Sequence, residues 1–291
     1  MDPFYVIDVA DWNTAFTPDQ QAAAVRGLEM GRVLFFPNLA CPVTAREQKF
    51  LTPDVLNESK NVSYDPVTHA VSGARCTGTE AVELAGLIGG FSSRATALLK
   101  NLMPAYGDGL RCGRTSLRPV EVAGRTQSWR KDDTRLHVDS FPSQPTKGKR
   151  LLRLFSNVNP AGMPRRWRVG EPFAAVARRF WPRLRAPLPG SSVLLRLFHV
   201  TKSTRTGYDH FMLQLHDTMK ADQDYQKRAE QVIHDFPAGS TWVCYTDQVS
   251  HAALAGQHQF EQTFRLPVKR MHDAGMSPLR VLEGLAGRTL A

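Results

Sequence analysis

Short apolar segments separated by turn-forming residues restrict the fold of this chain more than any other feature of its sequence. The strand candidates are residues 31–37, 150–155, 193–200, 241–246 and 259–268. Parallel sheets need a helix-length connection between successive strands, and no regular alternation of strand and helix patterns is visible here. The sequence therefore predicts a mixed α/β chain with mainly antiparallel sheets. The expected type is a jelly roll, the cupin-like double-stranded β-helix, with flanking helices.

Helical patterns fill the early part of the chain and flank its middle. Thr17 followed by Pro18 is a typical helix start, because a threonine side chain caps the first turn and proline is tolerated at its first position. The predicted helices cover about residues 17–31, 79–102, 171–180 and 208–219. Gly89 and Gly90 are adjacent within the second of these ranges, and a glycine pair predicts a break or bend there.

Length and composition favour one domain. The chain has 291 residues, of which 42% are hydrophobic and 22% are charged, as in an ordinary globular protein. Neither a repeat nor a low-complexity linker divides it. We therefore predict a single domain over residues 1–291, in which a helical N-terminal part (about 1–110) packs on the jelly-roll core (about 111–270).

The expected compartment is the cytoplasm. No segment approaches the roughly 20 apolar residues that a membrane helix needs, and the first residues have neither the basic nor the apolar region of a signal peptide. Cys41, Cys76, Cys112 and Cys244 show no paired spacing, so we expect reduced thiols without a disulfide or zinc site.

His137 and Asp139 form the centre of the predicted site. Side chains two positions apart in a strand project to the same face, so one metal ion can reach both. Two histidines and one carboxylate leave positions open on an octahedral iron, which is the arrangement of non-haem Fe(II) oxygenases. The spacing alone is weak evidence, because an ordinary histidine and aspartate on a half-exposed strand would share it.

A second histidine ligand has to come from further along the chain. The candidates are His199, His210, His216, His234, His251, His258 and His272. His251 has the most suitable context, because it follows a strong strand and a short turn and lies 112 residues after Asp139, which leaves room for several strands. His258 is the alternative. His210 and His216 lie on a predicted helix, where we expect them to face solvent or to pack.

A 2-oxo acid co-substrate would need a cation for its far carboxylate, and Arg265 is the candidate. The arginine fork binds carboxylates through two hydrogen bonds. Arg265 lies 14 residues after His251, in a strand whose alternation puts Phe264 and Leu266 on one face and Thr263 with Arg265 on the other. Arg265 can therefore face the barrel interior. The alternative is an arginine at the rim that forms a surface ion pair.

Several segments carry a family resemblance. They are RLHVDSFPSQPTKGKRLLRLFSNVNP (135–160), GYDHFMLQLHDTMKADQDYQ (207–226), WVCYTDQVSHAALAGQHQFEQTF (242–264) and, near the N-terminus, DPFYVIDVADW and GRVLFFPNL. Through them the chain resembles the Kdo hydroxylases, which use Fe(II), 2-oxoglutarate and O2 to hydroxylate C3 of 3-deoxy-D-manno-oct-2-ulosonic acid. The resemblance implies that His137, Asp139 and His251 bind iron. It also implies a double-stranded β-helix and the sugar of Kdo-lipid A as substrate, with succinate and CO2 released.

The net charge of +10 favours an anionic partner. Kdo carries a carboxylate and lipid A carries phosphates, so a basic surface suits this substrate and an anionic inner-membrane surface. The expected peripheral membrane face consists of Arg165, Arg166, Arg168, Arg178 and Arg179. Trp167 and Trp181 are expected either at that interface or buried.

Two other functions remain open at this point. An oxygenase acting on another anionic substrate, such as nucleic acid, would also suit the charge, although no nucleic-acid-binding motif is present and we expect no such partner. The second alternative is a non-catalytic lipopolysaccharide-binding protein, which would hold no iron and produce no succinate. The sequence does not predict an oligomeric state.

Overall fold

The computed structural model describes residues 2–188, 196–198 and 201–291. The strands are β1 (Phe4–Val6), β2 (Val33–Phe36), β3 (Val62–Tyr64), β4 (Val71–Ser72), β5 (Arg111–Arg118), β6 (Arg150–Asn157), β7 (Arg165–Gly170), β8 (Gln231–Phe236), β9 (Thr241–Tyr245), β10 (His251–Ala255) and β11 (Gln259–Leu266). The helices are α1 (Pro18–Glu29), α2 (Gly78–Leu102), α3 (Phe173–Phe180), α4 (Gly207–Ala221), α5 (Gln223–Arg228) and α6 (Pro278–Ala286).

The strands form two sheets. The larger one has eight strands in the order β1-β2-β9-β6-β11-β5-β3-β4, and the smaller one has three in the order β10-β7-β8. Strands β1 and β2 pair in parallel, and the other paired strands of the described residues are antiparallel. The predicted mixed α/β class with mainly antiparallel sheets is confirmed. The first 110 residues contribute β1 to β4 to the larger sheet as well as α1 and α2.

Local sequence signals explain most helix boundaries. The Thr17 side chain accepts a hydrogen bond from the Gln20 amide, and the Gln20 side chain accepts one from the Thr17 amide, so both residues cap α1. The predicted break at Gly89 and Gly90 does not occur, because α2 runs through both residues without interruption. A Cβ atom at Gly89 would lie 2.8 Å from the Tyr64 hydroxyl, so this glycine instead permits close packing of the helix on β3.

One strand prediction falls mostly outside the described residues. Of residues 193–200, only 196–198 are described, and Arg196 and Leu197 are helical rather than extended. In the described residues, no helix combines the length and apolar character needed to span a bilayer. The four cysteines are free thiols; Cys41 and Cys244 are buried, Cys76 is partly exposed and Cys112 is exposed.

The two faces of the larger sheet pack on different partners. On the outer face, Phe260 of β11 stacks on Phe91 of α2, with ring centroids 4.9 Å apart. On the inner face, Trp242 of β9 stacks on Phe236 of the smaller sheet at 4.0 Å, and Phe155 packs beside it at 5.4 Å. The aromatic contacts of the inner face therefore lie between the two sheets.

The predicted membrane face does not form as proposed. The alternation of β7 buries Arg165 and Trp167 between the sheets, with Arg165 only 3% exposed. Arg168 donates hydrogen bonds to the backbone carbonyls of Thr134 and Gln226. Arg166 is exposed but makes a two-pronged ion pair with Asp235. Residues that alternate between opposite faces of one strand cannot make a common basic surface.

Replacing Trp242 with alanine tests the inter-sheet core. Trp242 is fully buried between Phe155 and Phe236, so Trp242→Ala should lower the free energy of unfolding by about 3–5 kcal/mol. Ile233→Ala is the control, because this β8 side chain is 60% exposed and its loss should cost less than about 1 kcal/mol. Chemical denaturation of both variants measures the difference. Equal destabilisation would contradict the described packing.

Candidate metal centre and active site

His137, Asp139 and His251 lie together although they are far apart in sequence. One ligand atom from each can be chosen so that these atoms all lie within 4.8 Å of one another. Backbone hydrogen bonds explain the proximity. The His137 amide donates to the His251 carbonyl at 3.0 Å, and the His251 amide donates to the His137 carbonyl at 2.9 Å. The Asp139 amide donates to the Thr246 carbonyl at 2.8 Å, which fixes the third side chain.

Both imidazole rings are held in the form that a metal requires. The Nδ1 atom of His137 lies 2.7 Å from the Arg135 carbonyl, and that of His251 lies 2.8 Å from the Val249 carbonyl. A carbonyl can only accept, so each Nδ1 carries the proton and each Nε2 presents a lone pair. Such a bond from the second ring nitrogen is the usual support of a metal-binding histidine. The donor set of two imidazole nitrogens and one carboxylate fits ferrous iron.

The electrostatic surroundings favour the unprotonated form of each ligand. Burial lowers the pKa of His137 well below its ordinary range and also lowers that of His251. Burial alone would raise the pKa of the Asp139 carboxyl, but the positive charge of Arg153 holds that pKa below its usual range. At neutral pH the centre therefore offers two neutral imidazoles and a carboxylate.

Aromatic side chains enclose the two imidazoles. Trp167 of β7 stacks on His251, with ring centroids 5.2 Å apart and an angle of 23°. His216 of α4 packs edge-on against His137 at 5.3 Å. His216 was expected to face solvent or to pack, and it packs at the centre itself. It follows Met212 by four residues, so its position on the apolar face of the helix was a signal for this location.

The other histidines considered as ligands lie elsewhere. His258, the alternative to His251, lies in the turn between β10 and β11 with a φ of 57°. His210 lies 3.0 Å from the Arg185 carbonyl, and His234 packs among phenylalanine rings such as Phe236. His199 lies outside the described residues. Within the described chain, the group that could hold a metal ion comprises His137, Asp139 and His251.

Arg265 lies on the inner face of the larger sheet, as its alternation with Phe264 predicts. It pairs in register with Leu151 of β6. The Leu151 carbonyl accepts a hydrogen bond from the Thr246 amide, and the Thr246 carbonyl accepts one from the Asp139 amide. Arg265 is therefore level with Asp139 along the strands. Its guanidinium is half-buried and contacts the Gln144 side chain at 3.4 Å, and no carboxylate of the described residues pairs with it. The surface ion pair considered as the alternative is not observed there.

A chain of charged side chains crosses the same inner face. Arg153 of β6 lies 3.3 Å from Asp139 Oδ2 and 3.2 Å from Glu261 Oε1, and Arg118 of β5 lies 2.9 Å from Glu261 Oε2. Sequence reasoning missed these residues because β6 reads as a plain apolar strand. The alternation that puts Leu152 and Leu154 on the outer face was the available signal, since it directs Arg153 inward.

Comparisons with known proteins identify the family. The family model described as 3-deoxy-D-manno-oct-2-ulosonic acid (Kdo) hydroxylase matches residues 11–289. The chain belongs to the Kdo hydroxylase family. A crystal structure of the Kdo hydroxylase KdoO, a non-heme Fe(II) α-ketoglutarate-dependent dioxygenase, in complex with α-ketoglutarate and Fe(III) is 47% identical, with a TM-score of 0.97. That alignment covers 100% of this chain and 98% of the KdoO chain.

Two further structures of the same relative extend the comparison. The cobalt(II) complex is 48% identical and has a TM-score of 0.98, and the complex with succinate and Fe(III) is 48% identical with a TM-score of 0.97. Both alignments cover 99% of this chain and 97% of that chain. No curated protein matches the sequence. The predicted Kdo hydroxylase family is confirmed, and the structures of KdoO contain the iron and the α-ketoglutarate that the sequence predicts for this chain.

The buried imidazoles of this Kdo hydroxylase should make the stability of the metal-free protein depend on pH. A histidine whose folded pKa lies below its unfolded value of about 6.5 gains a proton on unfolding, so stability is lost as pH falls below that value. We expect the thermal midpoint of the chelator-treated protein to decrease as the pH is lowered from about 7 to about 5. The double variant His137→Gln, His251→Gln should show a shallower dependence.

The reference for this comparison is the wild-type protein under the same conditions. Burial also lowers the pKa of His210, His234 and His258, so part of the dependence should remain in the double variant. Identical slopes for the wild type and the double variant would contradict the effect assigned to the two imidazoles.

Proposed function

We propose that this protein hydroxylates C3 of a Kdo sugar in Kdo-lipid A, with Fe(II), 2-oxoglutarate and O2 consumed and succinate and CO2 released. The observation that carries the proposal is the meeting of His137, Asp139 and His251 in a chain of the Kdo hydroxylase family. The anionic substrate also suits the net charge of +10.

The proposed fold is a double-stranded β-helix in one domain over residues 1–291. Strands β9, β6, β11 and β5 would form its larger sheet, and β10, β7 and β8 its smaller one. The bridge between His137 and His251 adds a further segment beside β10, which supports this assignment. The N-terminal part, about residues 1–110, extends the larger sheet through β2 and β3 and covers it with α2, so the two parts share a sheet and a core.

The proposed iron ligands are His137 Nε2, His251 Nε2 and a carboxylate oxygen of Asp139. Iron bound there would activate dioxygen and supply the oxidising power for hydroxylation of a carbon atom. The protein fixes the two Nε2 lone pairs through the Arg135 and Val249 carbonyls. The rings of Trp167 and His216 cover the imidazoles and reduce access of water to them.

Arg265 is the proposed anchor for the far carboxylate of 2-oxoglutarate. It is an inward-facing cation level with Asp139, and no carboxylate of the described residues neutralises it. Arg153 and Arg118 are less suitable, because both already pair with Glu261. A half-buried arginine without an anionic partner gains the most from an incoming carboxylate.

The proposed location is the cytoplasm, with peripheral contact to the anionic surface of the inner membrane. The net positive charge supports such a contact, since each basic residue near anionic lipid contributes about 1 kcal/mol. Of the arginines first considered for this face, Arg178 on α3 is exposed, whereas Arg166 and Arg179 make ion pairs with Asp235 and Glu171.

Replacing His137 with alanine should abolish hydroxylation, because two ligands do not hold iron in the required geometry. The measurement is the mass spectrum of Kdo-lipid A incubated with Fe(II), 2-oxoglutarate and O2, in which the wild type should add one oxygen to Kdo. Succinate formation should fall in parallel. His258→Ala is the matched control, because His258 lies outside the centre, and it should retain activity.

The same assay separates the alternatives. An active His137→Ala variant would refute the ligand assignment. A wild-type protein that binds no iron and produces no succinate would favour the lipopolysaccharide-binding alternative. Oxygen added to a nucleic acid, with Kdo unchanged, would favour the other oxygenase function.

Arg265→Gln should raise the KM for 2-oxoglutarate at least about tenfold and leave metal binding unchanged, because a charge-assisted hydrogen bond contributes about 1.5–3 kcal/mol. Titration of 2-oxoglutarate against succinate formation measures the KM. Arg166→Gln removes a surface arginine paired with Asp235 and should leave the KM unchanged. An unaltered KM in Arg265→Gln would assign the anchor to another cation.

A further inference from the structure

Lys220 is a buried lysine in the last turn of α4, on the same side of the helix as His216. It follows His216 by four residues, and side chains at this spacing are neighbours on a helix surface. The ring of His216 packs against that of His137, one of the candidate metal ligands, at 5.3 Å. Lys220 is only 2% exposed. The helix therefore places an enclosed lysine one turn away from the side chain that covers the candidate metal centre.

The Lys220 ammonium is enclosed without an anionic partner. Its Nζ donates a hydrogen bond to the Arg130 carbonyl at 3.1 Å, and no carboxylate of the described residues forms an ion pair with it. Burial lowers the pKa of this ammonium, while the charges of Asp133 and Asp139 oppose the shift from a distance. A buried cation without a paired anion loses hydration without compensation, so it gains from binding one.

The charge of Lys220 acts on both candidate histidine ligands. Burial is the main cause of the lowered pKa of His137 and of His251, and the positive charge of Lys220 adds to the effect in each case. The Asp139 carboxylate in turn acts on the pKa of Lys220. Lys220 therefore lies near all three candidate ligands without forming an ion pair or hydrogen bond with any of them.

Other cations near the centre already have partners or an assigned ligand. Arg153 and Arg118 both pair with Glu261. Arg265 is the proposed anchor of the co-substrate. Lys220 is a cation near the centre that has neither a carboxylate partner nor an assigned ligand.

The substrate of the proposed reaction has a carboxylate close to the carbon that is hydroxylated. In Kdo the carboxylate is attached to C2, and C2 is bonded directly to C3. A group that holds this carboxylate therefore fixes the position of C3, and such orientation of a reacting atom contributes strongly to the rate. A lysine ammonium is a compact charge with three donors, which suits a carboxylate.

We propose that Lys220 binds the carboxylate of the Kdo sugar and so places C3 at the candidate metal centre. Lys220 then determines specificity for an acidic sugar, in addition to the hydrogen bond that it makes to the Arg130 carbonyl. The inference rests on the proposed function, the hydroxylation of C3 of Kdo.

The test compares two substrates with the full-length, iron-loaded enzyme: Kdo-lipid A, and Kdo-lipid A in which the Kdo carboxylate is converted to a carboxamide. Removing this charge should lower kcat/KM of the wild type by about 10–100-fold, as expected for the loss of a hydrogen bond between charged groups. Lys220→Met should lower kcat/KM for Kdo-lipid A by a similar factor. It should also react with both substrates about equally, because the interaction is already absent. Its KM for 2-oxoglutarate should stay as in the wild type.

Lys227→Met is the matched control. Lys227 lies in α5 and is exposed, so its loss changes the net charge equally without removing the buried ammonium. This variant should keep the wild-type preference for the charged substrate. Lys220→Gln removes the charge but keeps a donor for the Arg130 carbonyl. It should lose the preference as Lys220→Met does, and it replaces that variant if Lys220→Met does not fold.

The outcomes separate a role in substrate binding from a structural one. A Lys220→Met enzyme that is less active but keeps the wild-type preference would overturn the inference and leave Lys220 with the support of the Arg130 loop. A wild type that does not distinguish the two substrates would overturn it as well. Binding of both lipids to the Co(II)-loaded protein gives the same comparison where turnover is too slow to measure. A wild type that forms no succinate and adds no oxygen to Kdo would instead refute the proposed function, so the two failures are distinguishable.

Discussion

The mutual pair of backbone hydrogen bonds between His137 and His251 is the interaction on which the candidate centre depends. These two residues are separated by most of the strands of the second half of the chain, and each donates its amide to the carbonyl of the other. Directly opposed residues in an antiparallel pair have neighbouring side chains, so the backbone pairing alone brings the imidazoles together. Ring centroids 4.7 Å apart are the result.

Strand alternation then divides the space between the sheets into two chemically different halves. At one end, Phe155, Trp242 and Trp167 pack on one another and exclude water. Two residues further back along β6, Arg153 replaces the aromatic side chain, and the inner face becomes charged. The packed aromatic side chains leave the charged end as the polar part of this space. The candidate metal ligands and Arg265 lie on that side.

The sequence predicted the parts of this arrangement that short-range patterns determine. The H-x-D spacing, the turn before His251 and the alternation around Arg265 all depend on neighbours within a few residues, and the structure has these residues where the patterns put them. The charged side chains Arg153, Glu261 and Arg118 are brought together by contacts between distant strands. The position of His216 depends on a contact between a helix and the sheets. The helix break predicted at Gly89 was wrong for the same reason. This glycine allows close packing on Tyr64, a contact that the local sequence does not reveal.

The charges of the inner face also bear on what the site can accept. Asp139, Arg153, Glu261 and Arg118 carry equal numbers of positive and negative charges and neutralise one another. No carboxylate of the described part of the chain pairs with Arg265. A divalent metal ion on the neutral imidazoles, together with Arg265, would therefore add a net positive charge. The two carboxylates of 2-oxoglutarate would neutralise only part of it. The remaining field favours a substrate that carries its own negative charge near the reacting carbon, and the carboxylate of Kdo meets that requirement.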